Sequence, residues 1–147
     1  MAAISGSRWL REVALRIIRS METQLRTVFI VDDIPTMRER LGELVSDIEG
    51  VEIVGNAGTP GEAIDGILRT RPDCVLLDYQ LIDGTGVDVL RAVRPRAPGT
   101  AFIVLSNHAT PQHRRACLDA GARYFFDKST EFVQIRDAIA GIEARPH

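Results

Sequence analysis

Five short runs of apolar residues punctuate the chain without alternating: Val28-Phe29-Ile30-Val31, Val51-Glu52-Ile53-Val54, Cys74-Val75-Leu76-Leu77, Phe102-Ile103-Val104-Leu105 and Tyr124-Phe125-Phe126. Apart from Glu52 in the second they are unbroken, and unbroken runs of this length fit strands buried on both faces. Between them the apolar positions switch to helical spacing. Met37, Leu41, Leu44, Val45 and Ile48 make one stripe, Ala63, Ile64, Ile67 and Leu68 a second, and Val87, Val89, Leu90 and Val93 a third. Phe132, Ile135, Ile139 and Ile142 make another near the end. Start and stop signals flank these stripes. Pro35 is placed to open a helix, Thr59-Pro60-Gly61-Glu62 is a capping box with proline at the first helical position, and Thr110-Pro111 opens a further helix. Gly50 and Gly121 follow the ends of two of them.

Strict alternation of strands and helices predicts a parallel sheet covered on both sides. The expected architecture is flavodoxin-like and doubly wound, with five strands in the order 2-1-3-4-5, five helices and a crevice at the carboxyl ends of strands one and three. An N-terminal addition precedes it. From Trp9, the residues Leu10, Ala14, Ile17, Ile18, Met21 and Leu25 recur at helical spacing among Arg8, Arg11, Arg16 and Arg19, which predicts an amphipathic helix. Such a helix would lie on its own domain or on a second copy, making a homodimer, ahead of a membrane-surface role. The expected division is a helical extension over 1–26, one domain over 27–143 and a tail over 144–147.

Composition narrows the classes. Lysine and arginine total 18 and aspartate and glutamate 20, so the net charge of −2 gives no sign of a general nucleic-acid binder. Cys74 and Cys117 are far apart in apolar segments, and no CxxC or Cys/His cluster suggests a disulfide or zinc. The apolar runs are too short to span a membrane. A reduced, cytoplasmic protein is expected, without direct nucleic-acid or membrane partners.

The candidate chemistry sits where the strands end. The first strand closes in Asp32-Asp33, the third in Asp78, the fourth in Ser106, and the fifth leads into Lys128. Three carboxylates in one crevice repel, by about 4 kcal/mol per pair at ~4 Å in an effective dielectric near ~20. A hard divalent ion offsets this, and Mg²⁺ tolerates a few carboxylates while leaving positions for phosphate oxygens. Lys128 and the hydroxyl of Ser106 can then serve phosphoryl oxygens, and the set reads as a phosphoryl-transfer site with a carboxylate nucleophile. Asp78, alone on the central strand, is best placed for that role. The Asp32-Asp33 pair suits the metal, and the carbonyl of Gln80 can complete its shell.

With these pieces in place, the chain resembles the receiver domain of two-component response regulators over roughly residues 26–143. The resemblance rests on Val-Asp-Asp (31–33), Arg-Pro-Asp-Cys-Val-Leu-Leu-Asp (71–78), Asp-Gly-Thr-Gly (83–86), Leu-Ser (105–106), Ala-Gly-Ala (120–122) and Phe-Phe-Asp-Lys (125–128). It is nearest to receivers that precede helix-turn-helix output domains. It implies that Asp78 is phosphorylated by a histidine kinase or phosphotransfer protein. It also implies that Asp32, Asp33 and the Gln80 carbonyl hold Mg²⁺, and that Ser106 and Lys128 bind the phosphoryl group. Phe125 matches an aromatic that turns inward when Ser106 moves, altering the face of the last strand and its flanking helices towards an unknown downstream partner.

Three positions depart from the family pattern. Ser129 stands where proline usually follows the lysine, so a trans bond and a changed loop are expected. Asn107 follows Ser106 where a small residue is usual, which is expected to slow small phosphodonors or hydrolysis. Ile82 replaces a common proline after Asp78. A stand-alone signalling switch that turns over no external metabolite is the leading expectation. A receiver-like interaction module independent of phosphorylation is the alternative. An aspartate-nucleophile phosphatase stands far behind, because Asp32-Asp33-Ile34-Pro35-Thr36 lacks the Asp-x-Asp that such enzymes carry. His108 is expected in an exposed loop, and His113 and His147 carry no signal.

Overall fold

The computed structural model describes residues 2–23, 25–129 and 132–143. The expected tail at 144–147 lies outside them, as do the side chains of Met21 and Phe132. The elements run α1 (Ala2–Thr23), β1 (Arg26–Val31), α2 (Pro35–Ser46), β2 (Val51–Ala57), α3 (Pro60–Thr70) and β3 (Cys74–Asp78). A two-stranded ribbon follows, β4 (Gln80–Leu81) and β5 (Gly84–Thr85). The chain then continues through α4 (Gly86–Val93), β6 (Ala101–Ser106), α5 (Pro111–Asp119), β7 (Tyr124–Asp127) and α6 (Phe132–Ala140).

The main sheet is parallel with order β2-β1-β3-β6-β7, which is the expected 2-1-3-4-5 once the ribbon is set aside. Successive side chains on a strand point to opposite faces. On β1, Phe29 and Val31 therefore join one buried layer with Ile67 of α3, Leu90 of α4 and Cys117 of α5. Val28 and Ile30 join the other, with Leu41 and Val45 of α2 and Ile135 and Ile139 of α6. Each such side chain contributes about 1.5–3 kcal/mol by leaving water. The two layers clamp the sheet and fix the register of its strand ends.

Local signals act as the sequence suggests. Thr59 accepts a hydrogen bond from the Glu62 amide and opens α3, and Pro60 stands at the first helical position. Thr110 does the same for α5 through the His113 amide. At the opposite end of the sheet from the crevice, the buried Asp73 accepts from the amide and hydroxyl of Thr27, at 2.9 and 3.2 Å, and ties β3 to β1.

On the first helix, Trp9, Leu10, Ile17 and Ile18 are half exposed or more, so the domain does not cover these positions, and the expected alternative of a second copy stays open. Arg8 pairs with Glu12 within the helix at 3.7 Å. No described helix is long and apolar enough to cross a membrane.

Candidate functional site

The crevice is built by three strand ends held in register. β1 pairs with β3 through Val31 and Leu77, and β3 pairs with β6 through Asp78 and Leu105, so Asp32, Asp78 and Ser106 arrive at one edge. The backbone around Asp78 is pinned on both sides. The Tyr79 amide donates to the Leu105 carbonyl at 2.8 Å, and the Gly86 amide donates to the Tyr79 carbonyl at 2.7 Å. A side chain at position 86 would place its Cβ 2.7 Å from the Asp78 carbonyl oxygen, so this approach requires glycine.

Asp32, Asp33 and Asp78 each offer a carboxylate oxygen within 4.8 Å of the other two. Their surroundings differ. Asp32 is fully buried; one of its oxygens accepts from the Ile34 amide at 2.9 Å and the other from Lys128 Nζ at 2.5 Å. Asp33 is half-buried and lines the cleft. Asp78 is buried, accepting from the Gln80 amide at 3.2 Å and from Lys128 Nζ at 3.1 Å. Lys128 is itself buried, and its ammonium bridges the carboxylates of two strands.

Electrostatics follow from this packing. Burial pushes the Asp78 carboxyl up to about 6; the Lys128 charge opposes the rise and the Asp32 charge adds to it. Burial alone would pull the Lys128 ammonium down. The Asp32 hydrogen bond and the negative charges of Asp78 and Asp32 outweigh it, so the lysine is held above its usual range.

Ser106 ends β6, buried, and its Oγ accepts from the His108 amide at 3.0 Å while its carbonyl accepts from the Lys128 amide at 2.9 Å. Phe125 is buried in the core with the Arg114 guanidinium 5.2 Å from its ring centre, the inward position for an aromatic on β7. The Lys128–Ser129 bond is trans, as expected. Asp127 turns the chain there by accepting from the Ser129 hydroxyl and amide at 2.6 and 2.8 Å, bonds that also hold its carboxyl below the usual range. Ile82 is exposed on the ribbon, where Asp83 takes a left-handed backbone with φ of 68°.

A cleft of about 160 Å³ opens onto Asp78, walled by Asp33, Gln80, Ser106, Asn107 and His108, with Ile34, Tyr79 and His113 completing it. All the residues expected at the crevice are thus brought together. The last three are not readable from the sequence. His113 in particular is seven residues beyond Ser106 and reaches the cleft only because α5 starts beside β3. As an assembly, buried carboxylates, a bridging ammonium and a hydroxyl around an open cleft can bind a hard cation and a phosphoryl group.

The response regulator receiver domain model matches residues 28–140. The chain belongs to that family. Among curated relatives, the probable transcriptional regulatory protein TcrX of Mycobacterium tuberculosis is 36% identical over 121 residues, 81% of this chain and 51% of its own length. The DNA-binding transcriptional activator DevR/DosR of the same organism is 28% identical over 117 residues, 80% of this chain and 54% of its own length. The chain thus spans about half the length of these relatives. Among solved structures, the signal receiver domain of the putative response regulator NarL from M. tuberculosis superposes with a TM-score of 0.72 at 31% identity, covering 80% of this chain and 98% of that one. The receiver therefore has the flavodoxin-like fold of these proteins, and it is a two-component signalling module.

Proposed function

We propose that this receiver accepts a phosphoryl group on Asp78 from a histidine kinase or phosphotransfer protein, in a Mg²⁺-dependent reaction, and switches a protein-binding surface. One observation carries the reading. Three carboxylates from two adjoining strand ends converge within 4.8 Å beside a buried lysine that already touches the nucleophile.

The donor set fits Mg²⁺, since hard carboxylate oxygens meet on an accessible cleft wall. Asp32, Asp33, Asp78 and the Gln80 carbonyl would hold the ion. When bound, it offsets the clustered negative charge and that of the phosphoryl oxygens. In the transfer, an Asp78 carboxylate oxygen attacks phosphorus, a P–O bond forms, the donor's P–N bond breaks, and the electron pair leaves on the imidazole nitrogen. Lys128 and the Ser106 hydroxyl donate to phosphoryl oxygens. Their pull on the ends of β6 and β7 favours one arrangement of this edge over another, a population shift read on α5, β7 and α6, with the Phe125 ring held inward. The partner for that face is a downstream protein or a second copy. The chain catalyses its own phosphorylation and dephosphorylation, turns over no external metabolite, and acts in the cytoplasm.

Incubation with Mg²⁺ and acetyl phosphate, followed by intact mass, tests this. A gain of one phosphoryl group is expected, abolished by Asp78→Asn or by chelation. No gain with acetyl phosphate or a kinase, and no binding of beryllofluoride, would instead assign the chain to phosphorylation-independent interaction modules.

A further inference from the structure

Around the mouth of the cleft, three contacts link Tyr79 to Ser106 through two histidines to which the phosphoacceptor chemistry assigns no role. Tyr79 follows Asp78, and its ring stacks on His113 with centroids 4.4 Å apart and planes at 24°. His113 Nδ1 lies 3.0 Å from the His108 carbonyl. A carbonyl only accepts, so Nδ1 carries the proton and the ring's orientation is set. The His108 amide in turn donates to Ser106 Oγ at 3.0 Å, and Ser106 faces Asp78 across the cleft.

Each member is anchored separately. Tyr79 is fixed by its backbone bonds to Leu105 and Gly86, and His113 by the Thr110 hydroxyl that caps α5. Both rings are half-buried and line the cleft. Two stacked rings on separate elements form one wall of the cleft. The serine expected to follow the phosphoryl group is wired to that wall through the histidine backbone.

From these contacts we propose that His113 is a positioning residue: stacked on Tyr79, it holds that ring as a shutter across the route to Asp78. It thereby limits small phosphodonors and water at this site. This rests on the phosphoacceptor reading above. Acetyl phosphate therefore waits for the rings to part. Hydrolysis of the aspartyl phosphate is restrained by the same ring.

The test compares native chain, His113→Ala and His113→Phe with Mg²⁺ and acetyl phosphate. Loss of an aromatic pair corresponds to roughly three- to tenfold in a rate. His113→Ala should raise both acetyl phosphate labelling and hydrolysis by that factor, while the chain still unfolds in a single cooperative urea transition. His113→Phe, which keeps the stack without the bond to His108, should return both to within about twofold of native. An alanine variant indistinguishable from native, or a phenylalanine variant behaving like alanine, overturns the shutter. A second readout needs no phosphorylation. In an Asp78→Cys background, iodoacetamide labelling at position 78 should rise by the same factor on adding His113→Ala. If that rise occurs while the native chain takes no phosphoryl group, the shutter stands and the phosphoacceptor reading falls; if native labelling occurs without the rise, the reverse holds.

Discussion

The crevice and α1 invert one another. In the crevice, Asp32, Asp78 and Lys128 are charged and buried. On α1, Trp9 and Leu10 are apolar and each is 62% exposed. The difference shows how burial is compensated. Every charged group taken into the crevice meets a partner from a different strand, so a lysine after β7 answers carboxylates from β1 and β3. The apolar face of α1 meets no comparable surface among the described residues of its own chain, and its ion pair is the local Arg8–Glu12 contact. One region is held by the fold and belongs to it; the other is only appended to it.

The strongest way to break that contrast is to remove the bridging ammonium. Lys128→Met leaves two buried carboxylates facing each other, and loss of one member of a buried charged set costs about 3–5 kcal/mol. A matching fall in the urea-derived stability at pH 7 without metal is expected, with added Mg²⁺ recovering part of it. A midpoint unchanged from native would mean the carboxylates are hydrated and the crevice is no more buried than α1.

Next in size is the nucleophile itself. The Asp78 carboxyl is raised to about 6 in the fold, against 3.8 for the ordinary group. The folded chain therefore keeps this proton where the unfolded chain has released it. The resulting stability is fully present below about pH 4 and is lost as pH climbs through 6, a loss of about 3 kcal/mol. Asp78→Asn should remove that loss, making the metal-free chain more stable than native at pH 7 and leaving no advantage near pH 3.5. Chemical denaturation of both chains across this range, taken as a difference to cancel other carboxylates, is the measurement. A constant difference at all pH values would refute it.

Mg²⁺ sharpens the same region from the other side. At a hundredfold excess over its dissociation constant, a ligand that binds only the folded state adds about 2.7 kcal/mol. The native chain should gain this in a thermal scan, and Asp33→Ala should lose most of the gain. An equal gain in both would place the ion elsewhere.

The smallest expected effect tests α1. Deleting residues 1–24 should change the unfolding free energy of the remaining domain by less than about 0.5 kcal/mol, the range of surface changes away from buried features. A larger drop would show that the helix contributes to the domain after all.

These contrasts also mark what was legible in the residues. β1, β3 and β6 are continuous apolar runs ending in Asp32, Asp78 and Ser106, and burial on both faces leaves such runs few alternatives. The order of the sheet follows from alternation and connection rules. The bond from Lys128 to Asp32 was not legible, because it crosses the sheet between residues nearly a hundred positions apart. Nor was the Tyr79–His113 stack, which depends on how close α5 begins to the end of β3. The ribbon of β4 and β5 hides in a segment rich in turn residues, with two residues per strand and no period to detect. For α1, amphipathicity says that a face needs cover, and says nothing about what supplies it.

Gly86 carries no reactive group, yet its hydrogen in place of a methyl is what lets the start of α4 rest against the Asp78 main chain. Sequence drift at this spot would therefore be read out as a chemical defect several bonds away. Variants recovered in a screen for dead signalling should include this glycine even though it never meets the phosphorus.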